Sequence, residues 1–194
     1  INVNVQGCFK TTTPGGLIDC PDGQRIGTPL HYAVEYNNVE CVRALLAVPG
    51  IDVNAKMDDD GLNNKFAGLN ETPLHMAAND ERVDIIHLLL SAPNINVNEC
   101  SYDKYTALHD AAFNGDCEAV KALLSAPNID VNSRDCQGIT PLHLAVEERH
   151  DDVMMALLSA PNIDIDSEPP HIRDAVQKRV GVSDFPDFSV FFCK

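Results

Sequence analysis

Thr140-Pro141-Leu142-His143-Leu144-Ala145 decides how this chain is read, because near copies of it stand at three earlier places. They begin Thr28-Pro29-Leu30-His31, Thr72-Pro73-Leu74-His75 and Thr106-Ala107-Leu108-His109, each with Ala two residues on, at Ala33, Ala77 and Ala111. Each copy leads to an apolar run that closes on Leu-Leu: Leu45-Leu46, Leu89-Leu90, Leu123-Leu124 and Leu157-Leu158. The last three copies start 34 residues apart, and the first precedes the second by 44. A fixed period of this length marks a repeat array, in which each unit buries its apolar face only by stacking on its neighbours.

The unit follows from its residues. Thr before Pro is an N-cap followed by the tolerated first-turn proline, which has no N–H to leave orphaned. Leu142, Ala145 and Val146 share one face of a short helix, and the small Ala lets neighbouring helices approach closely. A polar break follows, Asn114-Gly115-Asp116 in the third copy and Glu148-Arg149-His150 in the fourth. Val153, Ala156 and Leu157 then mark the apolar face of a second helix, which ends before Ser-Ala-Pro-Asn. The stretch after it, Ile-x-Val-Asn leading to Asp135-Cys136-Gln137-Gly138, suits a short hairpin.

Ile51-Asp52-Val53-Asn54 and its later counterparts serve as a second marker, and the chain opens on the same phrase, Ile1-Asn2-Val3-Asn4. The opening is therefore expected to be the tail of a repeat whose helices lie upstream, in a chain processed or excised before Ile1. In the regular copies 11 residues separate this Ile from the next Thr; from Ile1 the count is 27 and from Ile51 it is 21. Both excesses fall in the inter-repeat connection, where insertions are tolerated as surface loops. The expected organisation is a partial or degenerate N-terminal repeat with an inserted loop over 1–27, an array over 28–166 with an insertion at 57–67, and a C-terminal capping helix with a Phe-rich tail over 167–194. The first insertion holds the flexible stretch Thr11-Thr12-Thr13-Pro14-Gly15-Gly16; the second holds Asp58, Asp59, Asp60 and an exposed Phe66. In the C-terminal segment, Ile172, Ala175, Val176 and Val180 make one helix face with Gly181 just past its end, which reads as a cap for the stack. Phe185, Phe188, Phe191 and Phe192 are expected to fold back and seal the last repeat.

Thr-Pro-Leu-His-x-Ala, a break with Asn-Gly, a Leu-Leu helix and Asp-Val-Asn at this period together resemble the ankyrin repeat. Ala107 departs from the usual proline, and only the third copy carries Asn-Gly. The phrase Ala-Pro-Asn-Ile-Asp-Val-Asn is also similar to ankyrin proteins of intracellular bacteria and of protists. The resemblance implies an all-α solenoid of helix-turn-helix units joined by β-hairpin fingers, with a capping helix at the C-terminus. It implies that the repeated His ties each helix start to the next hairpin, and it puts Asn54, Asn98 and Asn132 where asparagine hydroxylation occurs in similar repeats. Its functional implication is a non-enzymatic scaffold that binds a partner protein on the concave face, through finger tips and the exposed side of the first helix. Carried over copy by copy, the tips are Arg25; Leu69 and Glu71; Tyr102, Asp103 and Tyr105; Gln137 and Ile139. The helix positions are Glu35 and Tyr36; Asn79 and Asp80; Phe113 and Asn114; Glu147 and Glu148. Tyr102, Tyr105 and Phe113 in one repeat are the aromatic centre expected of a binding hot spot.

Charge narrows the partner. The chain has 29 acidic against 14 basic residues, a net charge of −15. That balance excludes nucleic acid and anionic membrane surfaces, which need Lys and Arg to neutralise phosphate, and it admits a partner with a basic surface. No apolar run is long enough to span a membrane. Seven cysteines without a framework spacing indicate reduced thiols in the cytoplasm, with Cys8 and Cys20 near enough in sequence to bridge. The expected protein is a monomer.

Chemistry finds little footing. His31, His75, His109 and His143 stand one per repeat, roughly 10 Å apart as packed helices are, too far to share a metal held at about 2 Å. His87, His150 and His171 have no partner at ligand spacing and read as surface residues. Cys41 aligns with Ile85 and Val153 at a core position, and Cys136 falls in a hairpin tip. No nucleotide-binding, zinc-protease or hydrolase motif occurs, and no cofactor, metal or catalytic residue is expected. The alternative is an effector or enzyme fragment whose Cys/His hydrolase-type chemistry lies in the insertions or outside this segment.

Overall fold

The computed structural model describes residues 27–57 and 70–180, with the backbone of four short strands at 12–13, 16–17, 25–26 and 58–59. Leu69, Phe66, Cys8, Cys20 and the four tail phenylalanines lie outside the described residues. Each Thr-Pro-Leu-His copy opens a helix: α1 (Pro29–Glu35), α3 (Pro73–Asn79), α5 (Ala107–Asn114) and α7 (Pro141–Glu147). Each is followed by a second helix packed against it, α2 (Val39–Leu46), α4 (Val83–Leu90), α6 (Cys117–Leu124) and α8 (Asp151–Leu158). The first helices pack in one layer, α1 on α3 on α5 on α7, and the second helices in another, α2 on α4 on α6 on α8. The final α9 (Pro170–Val180) packs on α7 and buries Ile172 and Val176, with Ala175 and Val180 against the same core. The result is an all-α repeat solenoid with a capping helix.

The core is the stripe the periodicity marks. Leu30, Leu74, Leu108 and Leu142 are buried, as are Ala33, Ala77, Ala111 and Ala145. In the second layer Leu89, Leu123 and Leu157 are buried, and Val53, Val97, Val131 and Ile165 close the core beneath the loops. Cys41 differs from the expectation. It is exposed, while its counterparts Ile85 and Val153 are fully buried. The second helix of each later repeat packs against the second helix of the repeat before it, and no such second-layer helix precedes α2 among the described residues.

The fingers are hairpins closed by few bonds. Ser101 N–H donates to Tyr105 O at 2.8 Å, and Asp135 N–H donates to Ile139 O at 3.0 Å. Neighbouring fingers join where Cys136 N–H donates to Asp103 O at 2.9 Å. Two antiparallel pairs carry strand character: β3 (Arg25–Ile26) on β4 (Asp58–Asp59), and β1 (Thr12–Thr13) on β2 (Gly16–Leu17) within the stretch expected to be flexible.

The break between paired helices is the same in every repeat. Asn38, Arg82, Asp116 and His150 each donate a backbone N–H to the carbonyl five residues back, at Ala33, Ala77, Ala111 and Ala145. This closure places the residue before them in the left-handed region: Asn37 at φ 51°, Glu81 at 58°, Gly115 at 78° and Arg149 at 63°. Gly115 has a second reason to be glycine. A Cβ there would stand 2.5 Å from Nδ1 of His150, whose ring lies over the turn and bonds the Phe113 carbonyl. At Gly138, φ 82°, a Cβ would meet nothing. Gly115→Ala is therefore expected to cost about 2–4 kcal/mol, combining left-handed strain with displacement of the His150 ring, and Gly138→Ala about 1 kcal/mol. Urea midpoints of the two variants check the difference.

Candidate functional site

The repeated His is a structural tie in the first three copies. Thr28 N–H donates to His31 Nδ1 at 3.1 Å, Thr72 N–H to His75 Nδ1 at 3.3 Å, and Thr106 N–H to His109 Nδ1 at 3.1 Å. With Nδ1 accepting, Nε2 carries the proton and donates across to the next finger: to Glu71 O at 3.2 Å, Tyr105 O at 3.0 Å and Ile139 O at 3.2 Å. The ring thus does what Glu or Gln does in an ordinary capping box, and reaches the next repeat besides. Burial holds the His31 and His75 pKa values down to about 4, and lowers that of His109.

With the fingers and first helices held in register, a groove of about 600 Å³ opens across the first three repeats. Glu35, Glu71, Met76, Asn79, Asp80, Ser101, Asp103, Tyr105, Asp110 and Phe113 line it. Glu71, Asp80, Asp103, Tyr105 and Phe113, named above from the sequence, are thereby brought to one groove. Tyr36, Tyr102, Asn114, Ile139, Glu147 and Glu148 are not among the lining residues, and for Arg25 only the strand backbone is described.

The aromatic residues divide by exposure. Tyr102 is 77% exposed, Tyr36 67% and Phe113 49%, so none of these rings is taken up by the core. Tyr105 is half-buried, with its ring 5.1 Å from that of His109 and its carbonyl held by His75. Burial, and then the Asp135, Asp110 and Asp103 carboxylates, raise its hydroxyl pKa. Tyr105 is a wall of the groove and a structural residue at once.

Several side chains at the predicted positions are held by the scaffold. Asp80 forms an ion pair with Arg82 at 3.0 Å, and Arg82 also donates to Glu35 O at 3.1 Å. Asn114 Nδ2 donates to Asn79 O at 2.9 Å. His150 Nε2 donates to Phe113 O at 3.0 Å, a backbone partner that its place in the sequence did not point to. These three bonds are one motif: a side chain at the break of one repeat reaches the end of the first helix in the repeat before. His171, read from its spacing as without a ligand partner, has its ring 5.5 Å from that of His143.

Asp110 was missed. It sits at the fourth position after Thr, where the other copies carry Tyr32, Met76 and Leu144, so an acid among larger, less polar residues was the available signal. Its Oδ2 is buried and has no hydrogen-bond partner among the described residues. Burial pushes its carboxyl well above the usual range, and the Glu71 carboxylate adds to the push.

Cysteine chemistry finds no geometry here. Cys41, Cys100, Cys117 and Cys136 are free thiols, and none hydrogen-bonds a histidine among the described residues. Among the same residues no helix is long and apolar enough to cross a membrane.

Comparison with known families places the repeats independently. A model described as ankyrin repeats (3 copies) matches residues 57–135, and one described as ankyrin repeat matches residues 27–58 and 137–168. No curated protein matches the chain.

The buried rings make stability depend on pH. His31 and His75 are neutral in the fold down to about pH 4, whereas the unfolded chain protonates them near 6.5. Unfolding therefore takes up protons in that window, and stability present above pH 6.5 is lost as pH falls towards 4. The loss is on the order of 3 kcal/mol for each of the two rings, with Asp110 contributing in the opposite sense. Urea unfolding at pH 7 and pH 5 is expected to show the fall, and His75→Gln to reduce its slope.

Proposed function

The chain belongs to the ankyrin-repeat family, and we propose that it is a non-enzymatic interaction module whose concave face takes a basic side chain of a partner protein. Ankyrin repeats are generally protein–protein interaction modules and typically non-catalytic. The observation that carries the finer reading is Asp110, a carboxylate with a buried, unpartnered oxygen in the wall of the groove. Such a group is costly to leave unpaired. An arriving Lys or Arg supplies the missing donor and restores the charge that burial disfavours. Glu35, Glu71 and Asp103 line the same groove, as do Tyr105 and Phe113, aromatic residues of the type whose rings attract cations. Net charge −15 steers a basic partner towards the array. Tyr36, Tyr102, Ile139, Glu147 and Glu148 extend the contact around this centre, and the array of residues 28–166 acts as the binding unit. The four free thiols suit a reducing, intracellular setting.

Asp110→Asn separates binding from folding, because it removes the buried ionisable carboxyl and with it the ligand's counter-ion. It is expected to raise stability by about 1 kcal/mol, about 2–4 °C in melting temperature for a chain of this size. On a peptide array the native chain is expected to select Arg- or Lys-containing peptides, and Asp110→Asn and Phe113→Ala to lose at least about tenfold in affinity for them, as hot-spot truncations do. An array with no enrichment for basic peptides, or unchanged affinity in both variants, overturns the assignment.

A further inference from the structure

The fourth histidine breaks the pattern of the first three. Among the described residues no finger carbonyl meets His143 Nε2, which points instead to Glu147 Oε1 at 3.3 Å. Thr140 donates its hydroxyl not to the ring but to Glu168 Oε1 at 2.6 Å. Glu168 is buried, with Oε2 3.9 Å from His143 Nδ1, and these last two atoms have no hydrogen-bond partner among the described residues. His171, on the first turn of α9, completes the cluster: ligand atoms of His143, Glu147 and His171 all lie within 4.8 Å of one another.

We propose that His143, Glu147 and His171 form a divalent transition-metal site of the kind Zn²⁺ takes, fastening the capping helix to the last repeat. Two imidazoles and a carboxylate are the donors that zinc prefers. His143 and Glu147 are four residues apart and share one face of α7. Their separation of 3.3 Å equals the edge of a tetrahedron with bonds of about 2.0–2.1 Å. His171 is exposed, and its ligand atom already lies inside the same 4.8 Å group. Three protein donors leave the fourth position of a tetrahedral shell to water.

Glu168 is the second, independent sign. When a metal takes the Nε2 lone pair, the proton of the neutral ring must sit on Nδ1, and that atom faces a buried carboxylate oxygen with nothing else to accept from. A carboxylate behind a metal-bound histidine fixes its tautomer and strengthens it as a ligand. Glu147 and Glu168 together also balance the charge of a divalent ion.

Titration of the full, reduced chain with ZnCl₂ by calorimetry tests the site. One saturable equivalent is expected, with a rise in melting temperature that EDTA reverses. Co²⁺ in its place is expected to give visible bands of tetrahedral coordination without thiolate charge-transfer absorption, which separates the site from capture by cysteines. His171→Ala and Glu147→Gln change exposed residues, so the metal-free melting temperature is expected to hold while affinity falls at least about tenfold. Glu168→Gln is expected to weaken binding about 10–100-fold, as loss of a carboxylate behind a ligating histidine does. The absence of saturable binding, or binding that survives both His171→Ala and Glu147→Gln, overturns the proposal.

Discussion

An imidazole buried away from water has to use both nitrogens, and in this array that requirement sets the geometry of everything around it. His31, His75 and His109 each accept a backbone N–H from their own N-cap Thr and donate to a carbonyl in the next finger. Leaving either end unmade costs about 1–3 kcal/mol per group, so each helix start and the finger beyond it are locked together. The proline ahead of the His matters less, and Ala107 replaces it without loss of the helix. In the first three copies the ring is what ties one unit to the next.

Two further ladders repeat the same logic on other faces. Asn54, Asn98 and Asn132 each use both ends of their amide on the next loop. Nδ2 donates to Asn94, Asn128 and Asn162 O, and Oδ1 accepts from the Asn96, Asp130 and Asp164 N–H. At the helix breaks Arg82, Asn114 and His150 reach back to the repeat before, and Arg179 of α9 makes the equivalent reach to Val146 O. A stack buries its apolar stripe without directional preference, since hydrophobic contact is insensitive to orientation. The polar ladders supply the register that the stripe lacks. That register aligns the acidic and aromatic walls of the groove.

The end of the array shows what happens when the pattern runs out of partners. His143 keeps its place in the helix but meets no finger carbonyl among the described residues, and Glu168 takes over its Thr. The cap therefore inherits a histidine with an uncommitted nitrogen beside two carboxylates. The interior repeats turn the same residue into structure; the last one leaves it available to a ligand.

Spacing and residue type alone determined the repeat, its helices, the Leu and Ala core stripe and the position of the cap, because each depends on contacts within one unit or its copy. The ankyrin resemblance, carried over by counting outward from Thr, also brought Glu71, Asp80, Asp103, Tyr105 and Phe113 to notice. Other features were decided only by tertiary structure. Cys41 is exposed because burial at that position comes from a helix in another repeat. Asp110 carries meaning only once its oxygen is known to lack a donor. His150 and His171 are far in sequence from the groups they meet. Periodicity reports which face of an element is apolar, whereas the partner of a polar atom depends on what the stack brings opposite it.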